Sequence, residues 1–586
     1  MVHRLSRAQF DAFCAGPVDA DVVAALRAAQ HSRRRLLISA LVDATTDDHD
    51  TAGSSVNAEE AWQILVTADE CAPDVVEDVL MRPSVGVWLV RAVRRSHGVD
   101  LDGPPLWVEV GFLGSLAAAV AMRAELSCAV DVPVVAGVVT LPTIGQIRLP
   151  DHVTSVVTLS VTSTGVALHA RSGDRPCDLP QVLGAPEFVP VHRHEVVRRG
   201  TRMTVELDDA TPYRLFAAPE PPQPLEPEEL TRWRRDIDGA WDVLTRWHPR
   251  SAAELSAGLT TLTPMTPPGK LVAASASAAF GGALLSAAGS PIALAATLVH
   301  ELQHSKLNAL LDLVLLCERD NSALGYAPWR EDPRPLTGLL HGIYAFVSTV
   351  EFWHVQRGCA PDKRRATFSF IRTHRQVRLV VDDLRADPGL TGPGRALVES
   401  VARRLTRCAV DDDVPAEMTG AVDTSIVDHR ARWRLRHVRP DDADVDAALA
   451  AWRARTAMPA VRQKYDVIEP DRRAVVQSDR GRLLTMKVVD PVRFGDVVDR
   501  PDDLRPGDAA FAAGRHDEAI ATYVERLLST PLDADAWLGL ALASRAKGDG
   551  GADAFLRAPE VALGVQERLG STMDDDPLEF VRRLGA

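Results

Sequence analysis

Cysteine is scarce in this chain: seven residues among 586, at positions 14, 71, 128, 177, 317, 359 and 408. They are scattered singly, odd in number and without a CxxC pair, so neither a disulfide framework nor a thiolate zinc site is indicated. The first residues, MVHRLSRAQFDAFCAG, lack the apolar core of a secretory signal, and no uncharged apolar stretch reaches the length of a membrane span. Basic charge is also short, with 66 Lys and Arg against 80 Asp and Glu and a net charge of -14. Nucleic-acid binding calls for a basic face, which disfavours that role, and the run Arg33-Arg34-Arg35 reads as a solvated face. The expectation is a cytoplasmic protein with neither a nucleic-acid nor a membrane partner; its oligomeric state is not legible.

The chain is 46% apolar and 25% charged, an ordinary globular composition with length enough for two to four domains. The pattern predicts an α+β protein, predominantly helical. Residues 1–104 read as an N-terminal helical region, with two helices over 5–45 and Asp19 and Asp21 as caps. Residues 105–218 read as β-rich, because VVAGVVTLPTIGQIRL, VTSVVTLSVTSTGVALHA and TRMTVEL are dense in Val and Thr and broken by Gly and Pro. PEPPQPLEPEE (219–229) is a linker too polar for a core. A helical domain over 230–460 follows, then a C-terminal region over 461–586. Within that region residues 507–548, with small residues at Ala510, Gly514 and Ala519 and with Tyr523 and Pro531, match a tetratricopeptide-like helical pair. A lone pair of this kind reads better as a cap that packs on its neighbour than as a binding array.

The pentapeptide His300-Glu301-Leu302-Gln303-His304 carries the chemistry. Two imidazoles four residues apart project from one side of a helix, within reach of one divalent ion. A chain of this length with 17 His would show HExxH by chance only about a few hundredths of a time. Ser290 is a good N-cap and Pro291 sits at the favoured first position, so the helix runs from there to about Cys317. It is apolar nearly all round and therefore expected to be buried, with Thr297, His300, Glu301, His304 and Asn308 as polar exceptions on one flank.

A zinc hydrolase would use two His ligands, a third ligand downstream and Glu301 as general base. An HExxHxxGxxH extension fails, since Leu307 and Leu310 stand where Gly and His are needed. The next helix, from about Leu336 to Gln356, has a polar stripe at His341, Tyr344, Ser348 and Glu351. His341 is the preferred third ligand and Glu351 the alternative. Three histidines, or two with a carboxylate, suit non-haem Fe(II) as well as zinc. Between the helices, Arg330 and Arg334 of YAPWREDPRP can either clamp a dicarboxylate or serve as loop salt-bridge residues.

The stretch LVHELQHSKLNALLDLVLL…YAPWREDPRPLTGLLHGIYAFVSTVEFW resembles the HExxH-type, alpha-ketoglutarate-dependent peptide beta-hydroxylases of ribosomal-peptide biosynthesis. The N-terminal FDAFCAG…SRRRLLISALVDA and the VVTLPTIGQIRL region are similar too, so the likeness spans roughly residues 5–460. The resemblance implies Fe(II), alpha-ketoglutarate and O2 acting on a side-chain beta-carbon of a precursor peptide, with His300 and His304 as iron ligands. It implies a supporting role for Glu301, orienting a ligand or holding iron-bound water. The CxxxCxxC of a radical-SAM partner domain is missing, which implies a stand-alone member. A zinc metallopeptidase or amidase is the alternative.

Overall fold

The structure is a computed structural model of the chain. It describes residues 3–46, 57–150, 155–163, 165–170, 178–179, 184–265, 273–287, 289–318, 323–410, 414–456, 459, 467, 478–500, 504–569 and 576–584. Helices dominate, joined by small sheets. Six cysteines are free thiols, and Cys177 lies outside the described residues. The chain divides into two compact units, Met1–Leu315 and Leu316–Ala586. That division falls inside the stretch 230–460 that was expected to be one helical domain.

In the first unit, Ser6 starts the helix Arg7–Ala15 with a reciprocal capping box to Gln9. The long helix Ala20–Thr46 follows, then three more between Ala58 and Ser96. The β-rich stretch begins later than its composition suggested. Residues Leu106–Arg123 form a helix, and the first strand is Cys128–Pro133. Val and Ala in LWVEVGFLGSLAAAVAMR were weighed with the strands downstream, but 18 residues without a turn signal favour a helix. This is also the one described helix long and apolar enough to cross a membrane, with a mean hydropathy of 1.4 and 72% of its span buried inside the protein. The helix Leu106–Arg123 earns its apolarity by forming the middle of a core, with Leu113, Leu116 and Val120 against Trp88, Val130 and Leu159.

Three sheets follow it. Strands Cys128–Pro133, Val156–Thr162, Gly165–Ala170 and Asp178–Leu179 make an antiparallel sheet, in that order, in which Val130 faces Leu159 and Leu159 faces Leu168. Val138–Leu141, Gly145–Arg148 and Phe188–Pro190 form a second antiparallel sheet. The third is mixed, in the order Ala273–Ala274, Gly282–Ser286, Thr261–Met265, Thr201–Leu207, His192–Arg198. The linker is polar but not loose. Asp209 accepts from the Leu225 amide (2.8 Å), and Arg214 donates to the carbonyls of Glu220 and Pro221.

The arginine run is a solvated face only in part, at Arg33 and Arg35. Arg34 is buried and donates to the carbonyls of Leu80, Arg82 and Ala278, while Arg35 pairs with Asp69 at 2.8 Å. A guanidinium offers five donors, enough to satisfy a loop's carbonyls from inside a core.

The second unit is nearly all helix. Leu336–Cys359, Lys363–Leu384, Gly392–Arg407 and Ala416–His437 are followed by shorter helices, including Pro506–Ala513, His516–Ser529 and Ala534–Ala546. At its centre the fully buried Arg480 meets Asp428 (2.8 Å), Asp508 (2.8 Å) and Asp535 (2.7 Å). Arg432 and Arg505 also pair with Asp428 and Asp535, so three guanidiniums balance three carboxylates. That balance is what allows charge to be buried at all.

Candidate metal centre

The histidine helix runs Pro291–Leu311, six residues shorter than expected at its C-terminal end. Ser290 caps it by accepting from the Ala293 amide at 3.2 Å, and Pro291 sits in the first turn, where its missing N–H costs nothing. Leu294, Leu298, Leu302, Leu307 and Leu310 bury the helix. Close approach is permitted by glycines. A Cβ on Gly239 would lie 2.8 Å from Pro291, and one on Gly258 would lie 2.9 Å from Leu302.

Thr297, His300, His304 and Asn308 form a half-buried strip along this helix. The expected flank holds for these four but not for Glu301, which is buried. Nε2 of His300 and Nε2 of His304 are 3.0 Å apart, with ring centroids at 4.7 Å and planes at 85°. Burial holds the His300 imidazole down at about 4, so it is neutral at pH 7 with a lone pair to offer. The spacing of four residues thus brings two imidazole nitrogens to one place on the helix surface, where they hydrogen-bond to each other.

Glu301 lies about 100° round the helix from His300 and is 4% exposed. Burial pushes its carboxyl up to about 7, against the pull of a hydrogen bond from Ser275. Its Oε2 has no hydrogen-bond partner among the described residues. Ser275 follows the edge strand Ala273–Ala274, so this contact ties the histidine helix to the mixed sheet.

The other side of the helix holds residues that sequence reasoning passed over. Lys306 is fully buried and meets Glu254 of the helix Pro249–Gly258 at 2.5 Å. Gln303 donates to the other Glu254 oxygen at 3.0 Å and accepts from Lys306 at 2.8 Å. A signal existed: a lysine in a helix apolar all round must have a buried partner, and Gln303 stands one turn before it.

The remaining candidates belong to the second unit. His341, on the helix Leu336–Cys359, is held down at about 4 by burial and by the charge of Arg334. Arg330 and Arg334 both engage Asp332, at 2.8 Å and 3.1 Å, which is the salt-bridge alternative of the two readings. The alternative ligand Glu351 is committed to the buried Arg404 at 2.7 Å, and Arg404 also donates to Ser348. The polar stripe on that helix is thus partly explained by one arginine. Among the described residues, no group of three or more His, Cys, Asp or Glu is placed to hold a metal ion. What the structure brings together is the His300–His304 pair.

The loop between the helices folds as a tight unit. Leu324–Gly325 pairs with Arg334–Pro335, and Trp329 lies on Gly342 and Phe346. Tyr326 hydrogen-bonds His429 Nδ1 (2.8 Å), Gln376 donates to the Pro328 carbonyl (3.1 Å), and His437 bonds the Glu331 carbonyl (2.7 Å). No protein-family model matches the chain, and no curated protein is significantly similar to it.

Proposed function

We propose that the chain is an Fe(II)- and alpha-ketoglutarate-dependent oxygenase that hydroxylates a beta-carbon in a ribosomally made precursor peptide, in the cytoplasm. The observation that carries the reading is that the helix brings the Nε2 atoms of His300 and His304 to one place, 3.0 Å apart. Bound iron with alpha-ketoglutarate and O2 would supply the oxidising power, the ketoacid leaving as succinate and CO2. The chain's own part is to present two imidazoles from one buried helix, that of His300 neutral at pH 7. Their present Nε2–Nε2 hydrogen bond requires one ring protonated at Nε2. To hold an ion through both Nε2 atoms, that ring would have to carry its proton on Nδ1 instead. The third protein ligand rests on the sequence alone, with His341 as the candidate. Arg330 and Arg334 would hold the ketoacid carboxylate in exchange for Asp332.

The zinc hydrolase reading draws on a different observation. A buried carboxyl near neutrality, with one oxygen unpartnered among the described residues, is what a general base beside a metal-bound water needs. One experiment separates the two. Protein purified without oxygen is loaded with Fe(II) and given alpha-ketoglutarate and candidate precursor peptides. Succinate and a peptide heavier by one oxygen are expected, both lost in His300→Ala. Peptide cleavage with Zn, independent of ketoacid and abolished in Glu301→Gln, would overturn the oxygenase.

In the C-terminal region we infer a single tetratricopeptide-like pair acting as a cap. Tyr523 is wedged between Gly507 and Gly539, where Cβ atoms would come within 2.6 and 2.3 Å of its ring. Asp508 and Asp535 of the flanking helices face inward to Arg480, so these helices spend their polar residues on their own unit.

A further inference from the structure

On the reading that His300 and His304 share a cation, we propose that Lys306, Glu254 and Gln303 form a brace that sets the rotation of the histidine helix and thereby the meeting of the two imidazoles. All three side chains are at most 1% exposed. Replacing a buried ion pair of this kind with apolar groups of similar volume is often neutral or stabilising. Its presence therefore calls for a reason other than stability, and direction is what an ion pair supplies and a leucine does not.

The helix needs that direction. With apolar residues on nearly every side, hydrophobic burial changes little as it turns about its axis, so packing alone selects its azimuth weakly. At 3.6 residues per turn, Gln303 and Lys306 stand about 60° and 120° from His300, on the side away from Glu301. Glu254 accepts from both, and also from the Val18 amide at 2.8 Å, so the anchor is itself held from a second direction. Ser305 adds a bond, its Oγ accepting from the Gly281 amide at 2.9 Å. On the far side Glu301 is tied to Ser275. The helix is clamped across its diameter, with the two histidines projecting between the clamps.

The test separates positioning from folding. Lys306→Met alone leaves Glu254 buried without its cation and is expected to lower Tm. The double variant Lys306→Met/Glu254→Gln removes both charges, keeps the volume and keeps an acceptor for Val18, so its Tm should return to near the original. Its Co(II) affinity, read by the visible spectrum of the cobalt-loaded protein, should still fall at least tenfold. The 15N shifts of His300 and His304 in metal-free protein should also lose the signature of an Nε2–Nε2 hydrogen bond. A double variant with original Tm, original Co(II) affinity and unchanged histidine shifts would overturn the brace. If the unaltered protein binds no Co(II), Fe(II) or Zn(II), the metal reading fails, and the histidine shifts alone then decide the brace.

Discussion

His300 and His304 are ordinary residues brought together by where they stand. Each imidazole alone is a weak donor, and a spacing of four residues on a helix supplies the second without a loop to order. Asp332 illustrates the opposite effect, a side chain that blocks its neighbours. Its carboxylate occupies both guanidiniums of the PWREDPRP loop, and those pairs hold it below the usual carboxylate range despite the opposing effect of burial. If Arg330 and Arg334 receive the ketoacid, Asp332→Asn frees them. We expect the apparent affinity for alpha-ketoglutarate to rise severalfold, measured by succinate release against ketoacid concentration. An unchanged or weakened affinity would remove the two arginines from the site. Exposed pairs of this kind contribute roughly 1 kcal/mol or less, so Tm should barely move.

At the scale of elements, the loop 324–335 is seated on the helix Leu336–Cys359 by close approaches at glycines, the tightest at Gly342. Trp329 fits against Gly342 because no Cβ is there; one would come within 2.3 Å of the indole. Gly342→Ala therefore has to displace Trp329 or the helix. It should destabilise by about 1–3 kcal/mol, as overpacking does, and should change the tryptophan emission in parallel. Chemical denaturation followed by fluorescence measures both. A stability gain, which Gly→Ala normally brings in a helix, would mean that Trp329 does not rest there.

At the scale of the whole molecule, buried charge decides where stability comes from. Arg480→Met leaves Asp428, Asp508 and Asp535 in the core with one cation fewer. A loss of about 3–5 kcal/mol is expected in urea unfolding of the full chain. Acid should unfold the protein early. Burial holds His248, His300 and His341 at about 4, below the ordinary 6.5. A lowered imidazole contributes stability that is present above pH 6.5 and lost as pH falls through 4. Glu301, raised to about 7, contributes in the opposite sense: present below 4.5 and lost as pH rises through 7. The three histidines outweigh the one carboxyl on the acid side. His248→Gln should therefore flatten the decline in Tm between pH 6.5 and 4 by an amount equivalent to roughly 1–3 kcal/mol. An identical pH profile would show that His248 titrates normally.

Much of this molecule can be read from local pattern. Ser290 and Pro291 mark the start of the histidine helix because capping is a matter of three or four neighbouring residues. The strands Val138–Leu141, Gly145–Arg148, Val156–Thr162 and Thr201–Leu207 all fall in the Val- and Thr-rich runs that announced them. The pairing of His300 with His304 follows from helical spacing alone. Leu106–Arg123 was misplaced because a buried helix and a buried strand are both simply apolar, and periodicity cannot tell them apart. What no local pattern contains is the partner of a buried charge. Lys306 meets Glu254 across 52 residues, Arg404 claims Glu351 across 53, and Arg480 reaches Asp428 across 52. The sequence by itself determined where the histidine helix starts and which two rings stand side by side on it. Only the tertiary structure decided which charges are already engaged, because that depends on chain segments meeting in a core where water can no longer screen or satisfy them.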